Sequence, residues 1–361
     1  MIKGMTDYGA YIIEQKNPDT EGLRIYKDTS MKPSEKFRKF LDMVNPEDTK
    51  VPGWMKFEHD GDIFFIKKKS LYTILLTLAN NGTVYYWGPF GTGKTVVVSA
   101  LMNKLFGRVV TFRMLRNMTP IELFGQYDPL AVHLTMQLLK NKVKGEVIES
   151  LKNDEEFKKE NSYLYNNIIN KGVINYDEYD YVLDMVNINY IMKHLPSIIS
   201  KIKQVNFQFS NIGKALEENA VLIIDEIDKV TDYELTPLSS ITQRKNRYVP
   251  IPDFGAIAFN QPVILLGNNK SITQFIGSRV VSVKREYLPK PLVEELLIHE
   301  GVSRSDVIQK IMRLYPRVEK GELTLRDIIN IGIGLQEYYD YAESNGGIDP
   351  DVVSVILREE E

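Results

Sequence analysis

A chain of 361 residues that is 43% hydrophobic can bury a large core, and at that length two or three structural units are expected. With 45 basic against 48 acidic residues the formal charge is -3, so no global excess of positive charge advertises nucleic acid. Cysteine is absent, which excludes disulfides and thiolate zinc sites, and His59, His133, His194 and His299 are too widely spaced to suggest a metal cluster. The N-terminus lacks the apolar core of a signal peptide and no eighteen-residue apolar run occurs, so a soluble cytoplasmic protein without membrane insertion is expected.

Residues 1–61 mix short polar and apolar runs broken by Pro18, Pro33, Pro46 and Pro52, and read as an N-terminal flank. From Asp62 to Lys69 the chain has strand character, and Ser70 is placed to cap a helix running on through Leu71–Asn80. Thr83–Trp87 follows the Asn81-Gly82 turn and is β-branched or aromatic throughout, as a buried strand requires. Gly88, Gly93, Lys94 and Thr95 then satisfy G-x-x-x-x-G-K-[ST], whose backbone N–H groups cradle phosphates. In that motif Lys94 reaches the β- and γ-phosphates and Thr95 takes Mg²⁺, while the helix after the loop offers its N-terminus to the anion.

A second strand spans Arg108–Phe112, and from about 130 to 205 the texture changes to a long helical insertion rich in Lys, Asn, Tyr and Glu. The apolar run Ala220–Ile224 ends in Asp225-Glu226. A carboxylate there can support Mg²⁺ through water, and the next can orient or deprotonate an attacking water. A further strand, Pro262–Gly267, ends in Asn268-Asn269, a polar hand for a phosphate or that water. After a short strand over Arg279–Val283, the pattern from Lys290 onward is helical.

This order of motifs resembles the AAA+ ATPases and, within them, the MoxR-like, helix-2-insert group. The segments that carry the resemblance are GPFGTGKT, VLIIDEIDK, VILLGNN, SRVVSV and LTLRDI, with two stretches, near Asn206–Ser210 and Tyr248–Phe254, similar to that group's hairpins. The resemblance implies an α/β P-loop NTPase core with a parallel sheet over residues 62–288, the helical insertion within it, and an all-helical lid over 289–361. It implies ATP and Mg²⁺ as ligands, with Gly88, Pro89, Phe90, Gly91, Thr92, Gly93, Lys94, Thr95 and Val96 around the nucleotide and Thr95 and Asp225 at the metal. Glu226 would activate water, Asn269, ahead of Asn268, would sense the γ-phosphate, Arg279 would enter a neighbour's site, and Arg326 would act from the lid. It further implies a homo-oligomeric, hexameric ring that remodels a protein complex, with an adaptor carrying a von Willebrand factor A domain. The alternative is a motor or loader drawing DNA through the pore of the ring, with Arg244, Lys245 and Arg247 as the cluster that would track a phosphate backbone.

Overall fold

The computed structural model describes residues 2–5, 11–13, 17–127, 155–160, 162, 166, 207–243, 246–251, 255–345 and 347–357. It divides into two compact units, residues 1–14 with 125–208, and residues 15–124 with 209–361. In the first unit, Ile2–Met5 pairs antiparallel with Tyr11–Ile13, and strand Gly125–Tyr127 pairs with Phe207–Phe209. The stretch expected as a hairpin near Asn206–Ser210 therefore takes its partner from across the insertion. The insertion lies outside the described residues, except for helix Glu155–Glu160 and two single positions.

The second unit is α/β and is built on a five-stranded, all-parallel sheet. Its strands are β1 (Thr83–Trp87), β2 (Val109–Arg113), β3 (Val221–Asp225), β4 (Val263–Gly267) and β5 (Val280–Lys284), in the spatial order β5-β1-β4-β3-β2. Continuous aliphatic runs suit such a sheet, because helices and connections cover both faces. Val221–Ile224 and Val263–Leu266 are buried throughout. Parallel registers, such as Asp225 opposite Arg113 and Gly267 opposite Trp87, bring the carboxyl ends of the strands to one edge. Crossovers from these ends are where an open α/β sheet forms its crevice.

Residues 17–61 are part of this unit and not a flank. Helices Glu21–Lys27 and Pro33–Val44 pack against helix Lys94–Phe106, and Pro33–Val44 also packs against helix Lys68–Ala79. Thr20 caps the first of them and also donates from Oγ1 to Phe106 O at 2.9 Å. The boundary expected after residue 61 falls in the turn of an antiparallel hairpin, Trp54–His59 with Asp62–Lys67, so it cuts a ladder of paired backbone groups. Strand alternation gives this hairpin two working faces. Met55, Phe57 and Ile66 join the core of the sheet, whereas Trp54 and Phe65 join the core of the C-terminal helices. Ser70 is not a cap. The helix begins at Lys68, whose N–H bonds Gly53 O, and the Ser70 hydroxyl donates instead to Lys284 O of β5.

Four helices, Lys290–His299, Ser305–Glu319, Leu325–Asn345 and Pro350–Leu357, form the C-terminal layer around a cluster including Leu292, Ile311, Ile328 and Leu335. Thr324 starts the third of them with a reciprocal cap, in which Thr324 N–H and Oγ1 bond Asp327 and Asp327 N–H bonds Thr324 Oγ1. No described helix is long and apolar enough to cross a membrane.

Phe40 is fully buried and meets Phe106 edge-on at 5.7 Å, which ties the N-terminal helices to helix Lys94–Phe106. Phe40→Ala is expected to lower the free energy of unfolding by about 3–5 kcal/mol in a urea titration. A loss below about 0.5 kcal/mol, the range of an exposed position, would show that residues 17–61 are an appendage after all.

Candidate active site

The loop between β1 and the helix Lys94–Phe106 wraps one ammonium group. Lys94 is only 8% exposed, and its Nζ donates to Gly88 O at 2.8 Å, Pro89 O at 2.9 Å and Asn268 Oδ1 at 2.9 Å. Burial pushes its pKa down, opposed by the charges of Asp225 and Asp228. Gly91 and Gly93 hold φ of 76° and 75°, the left-handed region that glycine adopts without strain, so the backbone can curl around the lysine. Thr92 Oγ1 pins the curl by donating to Pro89 O at 2.9 Å. Phe90 leaves the curl intact because its ring points outward, 64% exposed, at the rim of the cavity.

Beside the lysine, Thr95 Oγ1 donates to Asp225 Oδ2 at 2.7 Å, while Asp225 Oδ1 accepts from Glu226 N–H at 2.7 Å. Hard oxygen donors from a helix N-terminus and a strand end, side by side, suit Mg²⁺, which binds through one or two protein oxygens and completes its shell with phosphates and water. No cluster of three or more His, Asp or Glu side chains that could hold a metal exists among the described residues. The cavity over these groups has a volume of about 540 Å³, in the usual range for a small-molecule site. Its polar wall carries Lys94, Thr95, Asp225, Glu226 and Asn268, and its apolar wall carries Ile63, Leu288, Leu296 and Ile329. Val96 also lines it.

Glu226 occupies left-handed backbone, φ 60°, uncommon for a residue with a side chain and usually found where a site demands it. Its carboxylate is paired with the Arg113 guanidinium at the end of β2 and accepts from Lys229 Nζ at 2.6 Å. The Arg113 hydrogen bonds, helped by Lys229, hold its pKa below the usual carboxylate range, against the opposing effect of burial.

Most of the expected site residues converge here, with two differences. Asn268, not Asn269, reaches Lys94: both lie in the bend just past β4, and there Asn269 Nδ2 donates to Asp228 at 3.0 Å. Arg247 cannot track a phosphate backbone. It is 8% exposed, and its guanidinium donates to Gln243 O, Tyr26 Oη, Gln261 O and Asn81 O, an internal clasp at the base of the hairpin Tyr248–Ile251 with Gly255–Ala258. Arg244 and Lys245 lie outside the described residues. Arg326 lines the cavity from the first turn of its helix, where Leu325 N–H bonds Gly91 O at 3.2 Å. Arg279 is not among the described residues lining its own cavity. It donates to Ser239 O at 2.9 Å and lies over the Phe275 ring at 4.3 Å.

Two arginines have no role in the motif reading. Arg113 is one, and the other is Arg285, fully buried after β5, whose guanidinium donates to Thr92 O at 3.1 Å and Phe65 O at 2.6 Å. The backbone of Gly88 presses against it so closely that a Cβ there would lie 2.3 Å from Arg285 O. The single signal in the sequence is a basic residue just past a strand that ends beside the loop.

No protein-family model matches the sequence, and no curated protein matches it. Among solved structures, the crystal structure of NtrX from Brucella abortus matches with a TM-score of 0.41 and 11% identity over 78% of this chain. The chain spans about half, 52%, of the length of that matched chain.

Removing the Arg285 side chain would leave two buried carbonyls unpaired and the loop unsupported. Arg285→Ala should weaken binding of a nucleoside triphosphate by about ten-fold or more, and unfolding should become easier by about 2–4 kcal/mol. Calorimetric titration and urea unfolding measure the two effects. Arg247→Ala should show the second effect, at about 1–3 kcal/mol, and not the first.

Proposed function

We propose that the chain is a Mg²⁺-dependent ATPase of the AAA+ type that works in a ring and remodels or activates a protein complex in the manner of the MoxR-like group. One observation carries this reading. A buried lysine, a hydroxyl–carboxylate pair, a second carboxylate and an asparagine meet at the carboxyl edge of one parallel sheet, with an arginine facing them from the C-terminal helices.

The division of labour follows from these positions. The N-terminus of helix Lys94–Phe106 and the loop amides take the triphosphate, and Lys94 adds a charge that burial strengthens. Thr95, with Asp225 through water, would hold Mg²⁺, which would supply positive charge to the phosphates. Glu226 is the proton acceptor for the attacking water, a task that requires it to leave Arg113 and Lys229. Asn268 orients the γ-phosphate or that water. Arg326 contacts the phosphates from the helical side, and Arg279, held by Ser239 O and the Phe275 ring, completes the site of the next subunit. Two subunits then make one working site, so turnover depends on assembly. The contact between Leu325 and Gly91 couples phosphate occupancy to the angle of the helical unit, and an adaptor with a von Willebrand factor A domain would receive the motion. With Arg247 internal, the cluster proposed for a DNA motor loses one of its three members.

The test is the ATPase rate per subunit against protein concentration, with and without DNA. The rate should rise with concentration and ignore DNA. Arg279→Ala should cut it by about three to five powers of ten and Glu226→Gln by a comparable factor, both with nucleotide binding retained. A rate flat in concentration and indifferent to Arg279 would rule out the shared site.

A further inference from the structure

We infer that Asp228 and Tyr85 are positioning residues that set the reach of Asn268, a role that rests on the ATPase reading of the same site. Asp228 lies in the short helix Ile227–Lys229, one turn beyond the catalytic carboxylates, and touches neither Lys94 nor Thr95 by hydrogen bond. Its Oδ2 instead gathers the whole turn at the end of β4. It accepts from Asn268 N–H at 3.0 Å, Asn269 N–H at 3.2 Å and Asn269 Nδ2 at 3.0 Å.

From the other side of the turn, Tyr85 of β1 donates its hydroxyl to Asn269 O at 2.5 Å. Burial, reinforced by the charge of Asp228, pushes the phenol's pKa up, so it stays a donor through the working pH range. Between the two groups there is room only for glycine. A Cβ on Gly267 would lie 2.3 Å from Tyr85 Oη and 3.0 Å from Asp228 Oδ1. The peptide units of Asn268 and Asn269 are thus gripped at N–H, N–H and C=O, and from that held backbone the Asn268 side chain enters the cavity, where its Oδ1 lies 2.9 Å from Lys94 Nζ.

Stability alone does not account for a carboxylate at this place. Asp228 Oδ1 is buried with no hydrogen-bond partner among the described residues, so half of the group carries a desolvation cost that a neutral turn residue would avoid. Buried polar groups that are only half satisfied are expected where a site needs them. The charge has a use. It strengthens three N–H bonds at once and ties the turn after β3, which carries Glu226, to the turn after β4, which carries Asn268.

Asp228→Asn, Tyr85→Phe, Asn268→Ala and the double variant Asp228→Asn with Asn268→Ala test this, each by ATP turnover, by affinity for an N-methylanthraniloyl ATP, and by amide exchange at Asn268 and Asn269. Asp228→Asn should lower kcat by about ten-fold while KM and analogue affinity change by less than about three-fold. Exchange at both amides should quicken, and the double variant should be no slower than Asn268→Ala alone, because residues acting through one another are not additive. Tyr85→Phe should move the same quantities in the same direction, which keeps the test decisive if Asp228→Asn folds poorly. Losses that multiply in the double variant, an unchanged kcat, or unchanged exchange would overturn the inference while leaving the ATPase intact. Absence of ATP hydrolysis by the wild type would overturn both.

Discussion

The structure depends on keeping one positive charge out of water. Lys94 stands at the first turn of a helix, the end where the helix dipole repels a cation, and it is almost entirely buried. Desolvating an ammonium costs several kcal/mol unless acceptors replace the water. Two loop carbonyls and one asparagine oxygen do so, and Asp225 and Asp228 supply opposing charge from nearby. The carbonyls come from the loop after β1, the carboxylates from the end of β3 and the short helix after it, and the asparagine oxygen from the turn after β4. A parallel sheet is suited to the task, since its carboxyl ends lie along one edge and their loops can converge on a single atom.

Around that centre, two arginines manage groups that the motif residues leave unattended. Arg285 fastens the loop to the edge of the hairpin through Thr92 O and Phe65 O. The hairpin in turn lends Phe57 and Ile66 to the core of the sheet and Trp54 and Phe65 to the C-terminal helices. The same pair of strands is therefore part of two hydrophobic clusters and of the cavity wall. Arg113 pairs with the Glu226 carboxylate, so Glu226 is favoured as an anion and engaged until something competes for it.

The strand–loop–helix turn over residues 88–95 was legible because its constraint is local. Phosphate contact needs consecutive N–H groups, left-handed glycine and a helix start, all within eight residues from Gly88 to Thr95. The aliphatic runs before Asp225 and Asn268 were legible for a similar reason, since a strand buried on both faces must be apolar without a break. Asn268 and Asn269 were not separable in the sequence, because the choice between them is made by the bend after β4 and by its partners Asp228 and Tyr85, which come from elsewhere in the chain. Arg247 read as one of three surface cations and proved internal, since its partners, Tyr26 and Asn81, lie far away in the chain.

What the sequence determined by itself was the order of α/β elements, the loop, the carboxylates at the end of a strand and the helical C-terminus, because each is written in neighbouring residues. The tertiary structure decided the rest. It drew Leu23, Phe40 and Phe57 into the sheet's core, set Arg113 against Glu226 across 113 positions, and placed Asp228 and Tyr85 on either side of the turn that aims Asn268. Such pairings follow from strand order and register, and those are set by which apolar faces can be buried together across the whole chain.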